Sequence, residues 1–204
     1  MVLLKYIISF LAEFKKSPTF EMKDVSRFLR YHGSTGAYAK IFISHMVKGG
    51  KVHKLTKGFY TVYGNIETVG FPFYPFYYGL GFALTCHKLW KQQANPYVLT
   101  VRNVRRGSRK ALGLNYNVSK ISKGMFFGYY YVKGKDFYYP VSDIEKTLID
   151  CIYYGLNLED YVYENIFGQL DNGKMQSYLK RCNDRTKARY FELKASYWHA
   201  GKLS

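Results

Sequence analysis

The residue types that most often carry catalysis are all present in this chain, but their spacing assembles no recognisable centre. Glu145 and Asp150 fall in one helix-forming stretch, five positions apart. At 3.6 residues per turn they stand roughly 140° apart around the axis, so they do not share a face as a metal-binding or acid–base pair would. The structural alternative is that Asp143 favours the helix N-terminus while Glu145 and Asp150 pair with nearby Lys or Arg. The histidines are His32, His45, His53, His87 and His199, and no two have HxxxH or HExxH spacing. Cys86 and His87 are adjacent, which turns them in different directions on a helix and disfavours a nucleophile–base pair. Cys86, Cys151 and Cys182 form no CxxC motif and are odd in number. They read as buried small hydrophobes in a reducing cytoplasm, not as a disulfide framework or zinc site. Gly33-Ser34-Thr35-Gly36 lacks the Gly-Lys-Ser/Thr ending of a phosphate loop. Gly79-Leu80-Gly81 lacks the third glycine, and is read as lacking the preceding strand, of a dinucleotide site. The expectation is therefore a protein with no catalytic residue, no metal and no cofactor.

Charge points elsewhere. Lys and Arg number 31 against 14 acids, a formal net charge of +17 over 204 residues. A field of that sign attracts polyanions such as DNA, RNA or an anionic membrane surface. The charge is also unevenly placed. The first 66 residues hold 11 basic and 3 acidic side chains, with Lys40, Lys48, Lys51, Lys54 and Lys57 close together. Thr68 to Lys135 holds 11 basic residues and no acid, including a second basic patch of Arg102, Arg105, Arg106, Arg109 and Lys110 around Gly107-Ser108, read as a loop. Asp143 to Glu164 reverses this, with six acids and one Lys. Such a basic loop can grip a phosphate backbone or an acidic partner, or can simply keep the protein soluble.

The elements that must position these groups follow from periodicity. Val2 to Lys15 has apolar residues at 3, 4, 7, 8, 11 and 14, a helical stripe broken by Ser17-Pro18. Its run Tyr6–Leu11 is too short to span a bilayer and lacks the leader and cleavage site of a signal peptide. A second helix is expected from Lys23 to Tyr31, with Val25, Phe28 and Leu29 inward. A third is expected from Thr35 to Lys48, capped by Ser34 and stopped by Gly49-Gly50. Two strand-like runs around Lys57-Gly58 then make a hairpin ending at Tyr63. Three helices and a hairpin are the order of a winged helix-turn-helix. In that fold the third helix enters the major groove and the wing follows the backbone. With Ala39, Phe42, Ile43 and Met46 inward, the candidate DNA contacts are Ser34, Thr35, Tyr38, Lys40, Ser44, His45, Lys48, Lys54 and Lys57.

Gly64 to Pro75 is rich in Gly, Pro and aromatics and marks a boundary. The expected division is a winged helix-turn-helix at 1–65, a linker at 66–75 and a second domain at 76–204. The second domain should open with a helix at Tyr77–Gln92. Strands are expected at Tyr97–Arg102, Asn115–Ile121, Met125–Lys133 and Asp136–Pro140. A helix at Asp143–Tyr154 capped by Ser142 should follow, then helices at Leu158–Phe167, Lys174–Asn183 and Arg185–His199. The fold class is α+β: the winged helix-turn-helix, then a mixed α/β domain with a small sheet and a helical C-terminal end.

Ser44 to Tyr60 resembles the end of the winged helix in AbiEi-type antitoxins, where a helix ending in Gly leads into a basic-Gly-aromatic-Tyr hairpin. Tyr77 to Leu84 looks like the helix that opens that family's C-terminal domain. Pro140-Val141-Ser142-Asp143-Ile144-Glu145-Lys146-Thr147-Leu148-Ile149-Asp150 is similar to its Asp-x-Glu-(Lys/Arg)-Thr-Leu-(Leu/Ile)-Asp segment. The resemblance implies a cytoplasmic, autorepressing antitoxin that binds double-stranded DNA at an inverted repeat in its own promoter. It implies functional pairing with a nucleotidyltransferase-like toxin without requiring direct contact, and no membrane. A stand-alone transcription factor is an alternative. So are a nucleic-acid-processing enzyme using the basic second domain, and an RNA- or protein-binding adaptor whose aromatics stack on bases.

Overall fold

The computed structural model describes residues 2–199, and their side chains from Tyr6 to Tyr197. The side chains of Leu3, Leu4 and His199 and the end of the second domain lie outside that set. The chain divides into two compact units, Met1–Tyr74 with Ser108–Tyr116, and Pro75–Gly107 with Asn117–Ser204.

In the first unit the helices are α1 (Val2–Phe14), α2 (Met22–Tyr31) and α3 (Ala39–Lys48), with a single 3-10 turn at Gly36–Tyr38. The strands are β1 (Phe20–Glu21), β2 (His53–Thr56) and β3 (Phe59–Thr61), in antiparallel order β1-β3-β2. The apolar stripes meet as their spacing requires. Val25, Phe28 and Leu29 from α2 and Ala39, Phe42, Ile43 and Met46 from α3 are all buried. Phe10 of α1 is the hub, edge-on to Phe28 at 5.3 Å and to Phe42 at 5.1 Å, the arrangement that aromatic quadrupoles favour. Asp24 accepts from the Glu21 amide at 2.8 Å and satisfies a donor at the start of α2. Gly58 closes the hairpin at φ +80°, a conformation that a side chain disfavours. Two features differ from the sequence reading. The third helix begins as a 3-10 turn and becomes α-helical only at Ala39. The two-residue β1 joins the hairpin through Phe20 opposite Tyr60, and it is too short to display a period of two.

Residues 66–75, expected to be a linker, include a 3-10 helix at Ile66–Phe73 that buries Thr68, Val69, Gly70, Pro72 and Phe73. Aromatic and small residues there serve packing, not reach.

The remaining strands are β4 (Phe76–Tyr78), β5 (Tyr97–Thr100), β6 (Gly107–Ala111), β7 (Leu114–Lys120), β8 (Tyr129–Lys133) and β9 (Tyr138–Ser142); Ser108–Tyr116, which holds most of β6 and the start of β7, belongs to the first unit and the rest to the second. The helices are α4 (Leu80–Cys86), α5 (Ile144–Tyr154), α6 (Asp160–Phe167), α7 (Asn172–Leu179) and α8 (Asp184–His199). The sheet is mixed, in the order β6-β7-β5-β4-β9-β8. β4 runs antiparallel to β5 and parallel to β9, while β5 runs parallel to β7. The class is mixed α/β with a helical C-terminal end.

The expected helix Tyr77–Gln92 is corrected. Phe76, Tyr77 and Tyr78 are all buried in a central strand, and only Leu80–Cys86 is helical. Three consecutive aromatics look the same to a helical and a buried-strand pattern, and a strand covered on both faces has no alternation to betray it. A strand therefore does precede Gly79-Leu80-Gly81. Even so, the space beside these glycines is filled from within. A Cβ on Gly79 would lie 2.8 Å from Leu99, and one on Gly81 would lie 2.7 Å from Trp90. With Leu84 where a third glycine would fall, the turn packs against its own domain instead of opening to a pyrophosphate.

No helix among the described residues is long and apolar enough to cross a membrane. Cys151 and Cys182 are buried, whereas Cys86, at the last position of α4, is exposed. The expectation that all three are interior fails there because Leu80, Ala83 and Leu84 carry the inward face of α4 and Cys86 falls off that face.

Candidate nucleic-acid interface

Burying Ala39, Phe42, Ile43 and Met46 forces the opposite side of α3 into solvent. Lys40, Ser44, His45 and Lys48 are exposed there, and Ile41 is 53% exposed between them. Thr35 is exposed, while Ser34 and Tyr38 are half-buried in the approach to the helix. The Ser34 amide donates to the Leu29 carbonyl at 2.9 Å, which fixes the turn between α2 and α3. Ser34 does not cap α3, because the 3-10 turn intervenes. Lys54 and Lys57 are exposed on β2 and at the hairpin tip.

The electrostatics of this unit are sorted by side chain. Three of its acids, Glu13, Glu21 and Asp24, are engaged with Lys16, Lys23 and Arg27 at 2.6, 2.9 and 3.6 Å. Among the described residues, Lys40, Lys48, Lys51, Lys54 and Lys57 have no ion-pair partner. The third helix and the hairpin thus present uncompensated positive charge beside hydroxyls, one imidazole and an apolar Ile41. That mixture can satisfy phosphates, base edges and a thymine methyl. A cavity of about 860 Å³ in this unit is lined by α1, α2 and the segment between them, with no residue of α3.

The second basic patch is divided between the units. Arg102, Arg105 and Arg106 are exposed in the second unit, whereas Arg109 and Lys110 belong to the first. The segment read as a basic loop is in part strand β6, at the edge of the sheet. Cationic side chains on an edge strand also discourage unwanted strand pairing. Arg109 is half-buried, with its guanidinium 4.8 Å from the Phe73 ring centre. Arg106 lies 5.7 Å from the Tyr154 ring.

The carboxylates of α5 are engaged inside the second unit. The helix is buried continuously from Glu145 to Ile152, an environment that tolerates charge only when it is paired. Asp143, not Ser142, caps it by accepting from the Lys146 amide at 2.8 Å. The Ser142 hydroxyl instead shares a hydrogen bond with the Thr147 hydroxyl at 2.7 Å. Lys174 of α7 reaches Asp143 at 3.1 Å and Glu145 at 2.8 Å. Glu145 also accepts from the Asp171 amide at 3.0 Å. Burial pushes the Glu145 carboxyl upward, but these donors outweigh it and hold it below its ordinary value. Asp150 pairs with Lys146 one turn away and accepts from the Tyr77 hydroxyl at 2.9 Å. Burial still leaves the Asp150 carboxyl above its ordinary value. Glu145 and Asp150 therefore face separate partners, as their angular separation requires. Among the described residues no group of three His, Cys, Asp or Glu side chains is placed to hold a metal ion.

Sequence reasoning missed Arg185 and Arg189, which line one cavity with Arg106 although about 80 positions separate them from it in the chain. No spacing rule could join them. Compared with family models and with curated proteins, the chain matches none.

Proposed function

We propose that this chain is a sequence-specific DNA-binding regulator whose residues 1–65 act as a winged helix-turn-helix. In this reading α2 and α3 form the helix-turn-helix, α3 enters the major groove, and the β2–β3 hairpin is the wing. The observation that carries it is the solvent face of α3 and the hairpin, where lysines stand without carboxylate partners while Glu13, Glu21 and Asp24 of the same unit are paired elsewhere. A merely solvated face more often intersperses both signs.

The resemblance of Ser44–Tyr60 and Pro140–Asp150 to AbiEi-type antitoxins supports a narrower role. The chain would act in the cytoplasm as the autorepressing antitoxin of an AbiE-type system, opposite a nucleotidyltransferase-like toxin. The engagement of Asp143, Glu145 and Asp150 in structural pairs favours a regulator over an enzyme.

The test is binding to a promoter-proximal inverted repeat, measured against scrambled duplex across a salt series. Selective binding with a steep salt dependence supports the reading. Equal affinity for both duplexes overturns it. A neighbouring nucleotidyltransferase-like reading frame whose toxicity this chain relieves separates an antitoxin from a stand-alone regulator.

A further inference from the structure

A second cationic site lies wholly within the second unit. Arg106 after β5, Lys120 at the end of β7, and Arg185 and Arg189 on α8 line a cavity of about 420 Å³. Its other walls are α5 and the start of α8, and none of its lining residues is acidic. Among the described residues none of the four cations has an ion-pair partner, and the neighbouring Asp184 is occupied by Lys187 at 3.1 Å. Four like charges converging on one concavity repel one another unless an anion joins them.

The remaining surfaces narrow the anion. Asn183 already accepts from the Thr186 amide at 2.9 Å, so that amide is taken, and the four cationic side chains are the groups that converge on the anion. The Tyr154 hydroxyl donates to the Lys120 carbonyl at 3.0 Å. Burial keeps that phenol protonated far above neutral pH, so it adds no opposing charge. Half-buried Tyr153, backed by buried Ile152, supplies an apolar wall against which a flat ring can lie. The volume falls in the range of small-ligand pockets, roughly 300–1,000 Å³, which is too small to admit a duplex. A phosphate monoester carries about −1.5 to −2 charges at pH 7, so four cations suit one or two phosphates.

We propose that this cavity binds a small phosphorylated ligand of the nucleoside mono- or diphosphate class. The cations hold the phosphates, and the Tyr153–Ile152 wall receives the base. The site is separate from α3 and does not depend on the DNA-binding reading.

The experiment is calorimetric titration and thermal melting of the full chain with ADP in about 0.15 M salt, where loose surface attraction is screened. Saturable one-to-one binding with a raised melting temperature is expected. Arg106→Gln combined with Arg189→Gln, both exposed positions, should weaken binding at least tenfold without lowering the unliganded melting temperature. Lys133→Gln, outside the cavity, should leave affinity unchanged. Absence of saturable binding at millimolar ADP overturns the proposal, as does undiminished affinity in the double variant. Equal affinity for inorganic phosphate overturns the nucleoside assignment. If ADP fails to bind while the double variant loses affinity for duplex DNA, the cluster is a backbone contact and the proposal falls.

Discussion

Lys146 and Asp150 sit one turn apart on α5 with no side-chain surface exposed on either, and the Lys146 ammonium donates to the Asp150 carboxylate. Lys146 also lies 4.9 Å from the Phe127 ring centre and 5.5 Å from that of Tyr77. The pair is insulated from water on every side, so its two members are mutually dependent. Lys146→Met should leave Asp150 as an unmatched interior charge and destabilise the fold by about 3–5 kcal/mol. Replacing both, as Lys146→Met with Asp150→Leu, should recover much of that loss. Urea denaturation of the two variants checks this; a double variant no better than the single would overturn the pairing argument.

Tyr77→Phe removes the hydroxyl that Asp150 accepts from, at no cost in ring packing. Because the acceptor is a carboxylate, the expected loss is about 1.5–3 kcal/mol. The same denaturation measurement reads it, and a loss below experimental error would show that the hydroxyl is dispensable.

Gly128 is at φ +69°, and a Cβ there would lie 2.8 Å from both the Lys146 Cβ and the Tyr178 ring. Gly128→Ala therefore combines backbone strain with a clash against α5 and should cost more than about 1 kcal/mol. A melting temperature equal to that of the parent would contradict the packing described.

Glu145 gives a pH signature. Its folded-state carboxyl is held below the ordinary value of 4.5. Its stabilising contribution is therefore complete above that value and is lost as pH falls through the depressed folded value. Glu145→Gln should be less stable than the parent at neutral pH, with the gap closing in acid. Asp150, raised by burial, is present in both proteins and largely cancels from the difference. A gap independent of pH would mean that the Lys174 contact contributes nothing through charge.

On DNA, Lys48→Ala and Lys57→Ala should each reduce the slope of log affinity against log salt by about one. Charge reversal at either position should weaken binding further. Lys16→Ala, just after α1 and engaged with Glu13, should leave the slope unchanged. Unaltered slopes for the first two would remove them from the interface.

How much of this was legible in the sequence depends on how local each signal is. The inward faces of α2 and α3 follow from the spacing of Val25, Phe28 and Leu29 and of Ala39, Phe42, Ile43 and Met46, because one face of a helix repeats within a few residues. β4 was hidden because Phe76, Tyr77 and Tyr78 are buried together and show no alternation. β6 was hidden because Gly107-Ser108-Arg109-Lys110 has the composition of a loop, although an edge strand tolerates it. The exposed lysines of α3 could be named from the helical period alone. The Arg106–Arg185–Arg189 cluster could not, because only the tertiary fold brings the segment before β6 and α8 to one cavity.

The division of the chain bears on genetic dissection. Ser108–Tyr116 belongs with the first unit although it is threaded between segments of the second. Within the first unit it places Arg109 over Phe73 and lets the Tyr116 hydroxyl reach the Leu55 carbonyl at 3.4 Å. A gene fragment ending at Tyr74 would encode a head deprived of one of its own pieces, and the complementary fragment would carry that piece as an orphaned excursion. The two halves are thus laced together by three crossings of the backbone. Shuffling the N-terminal module onto another partner requires the Ser108–Tyr116 insert to travel with it.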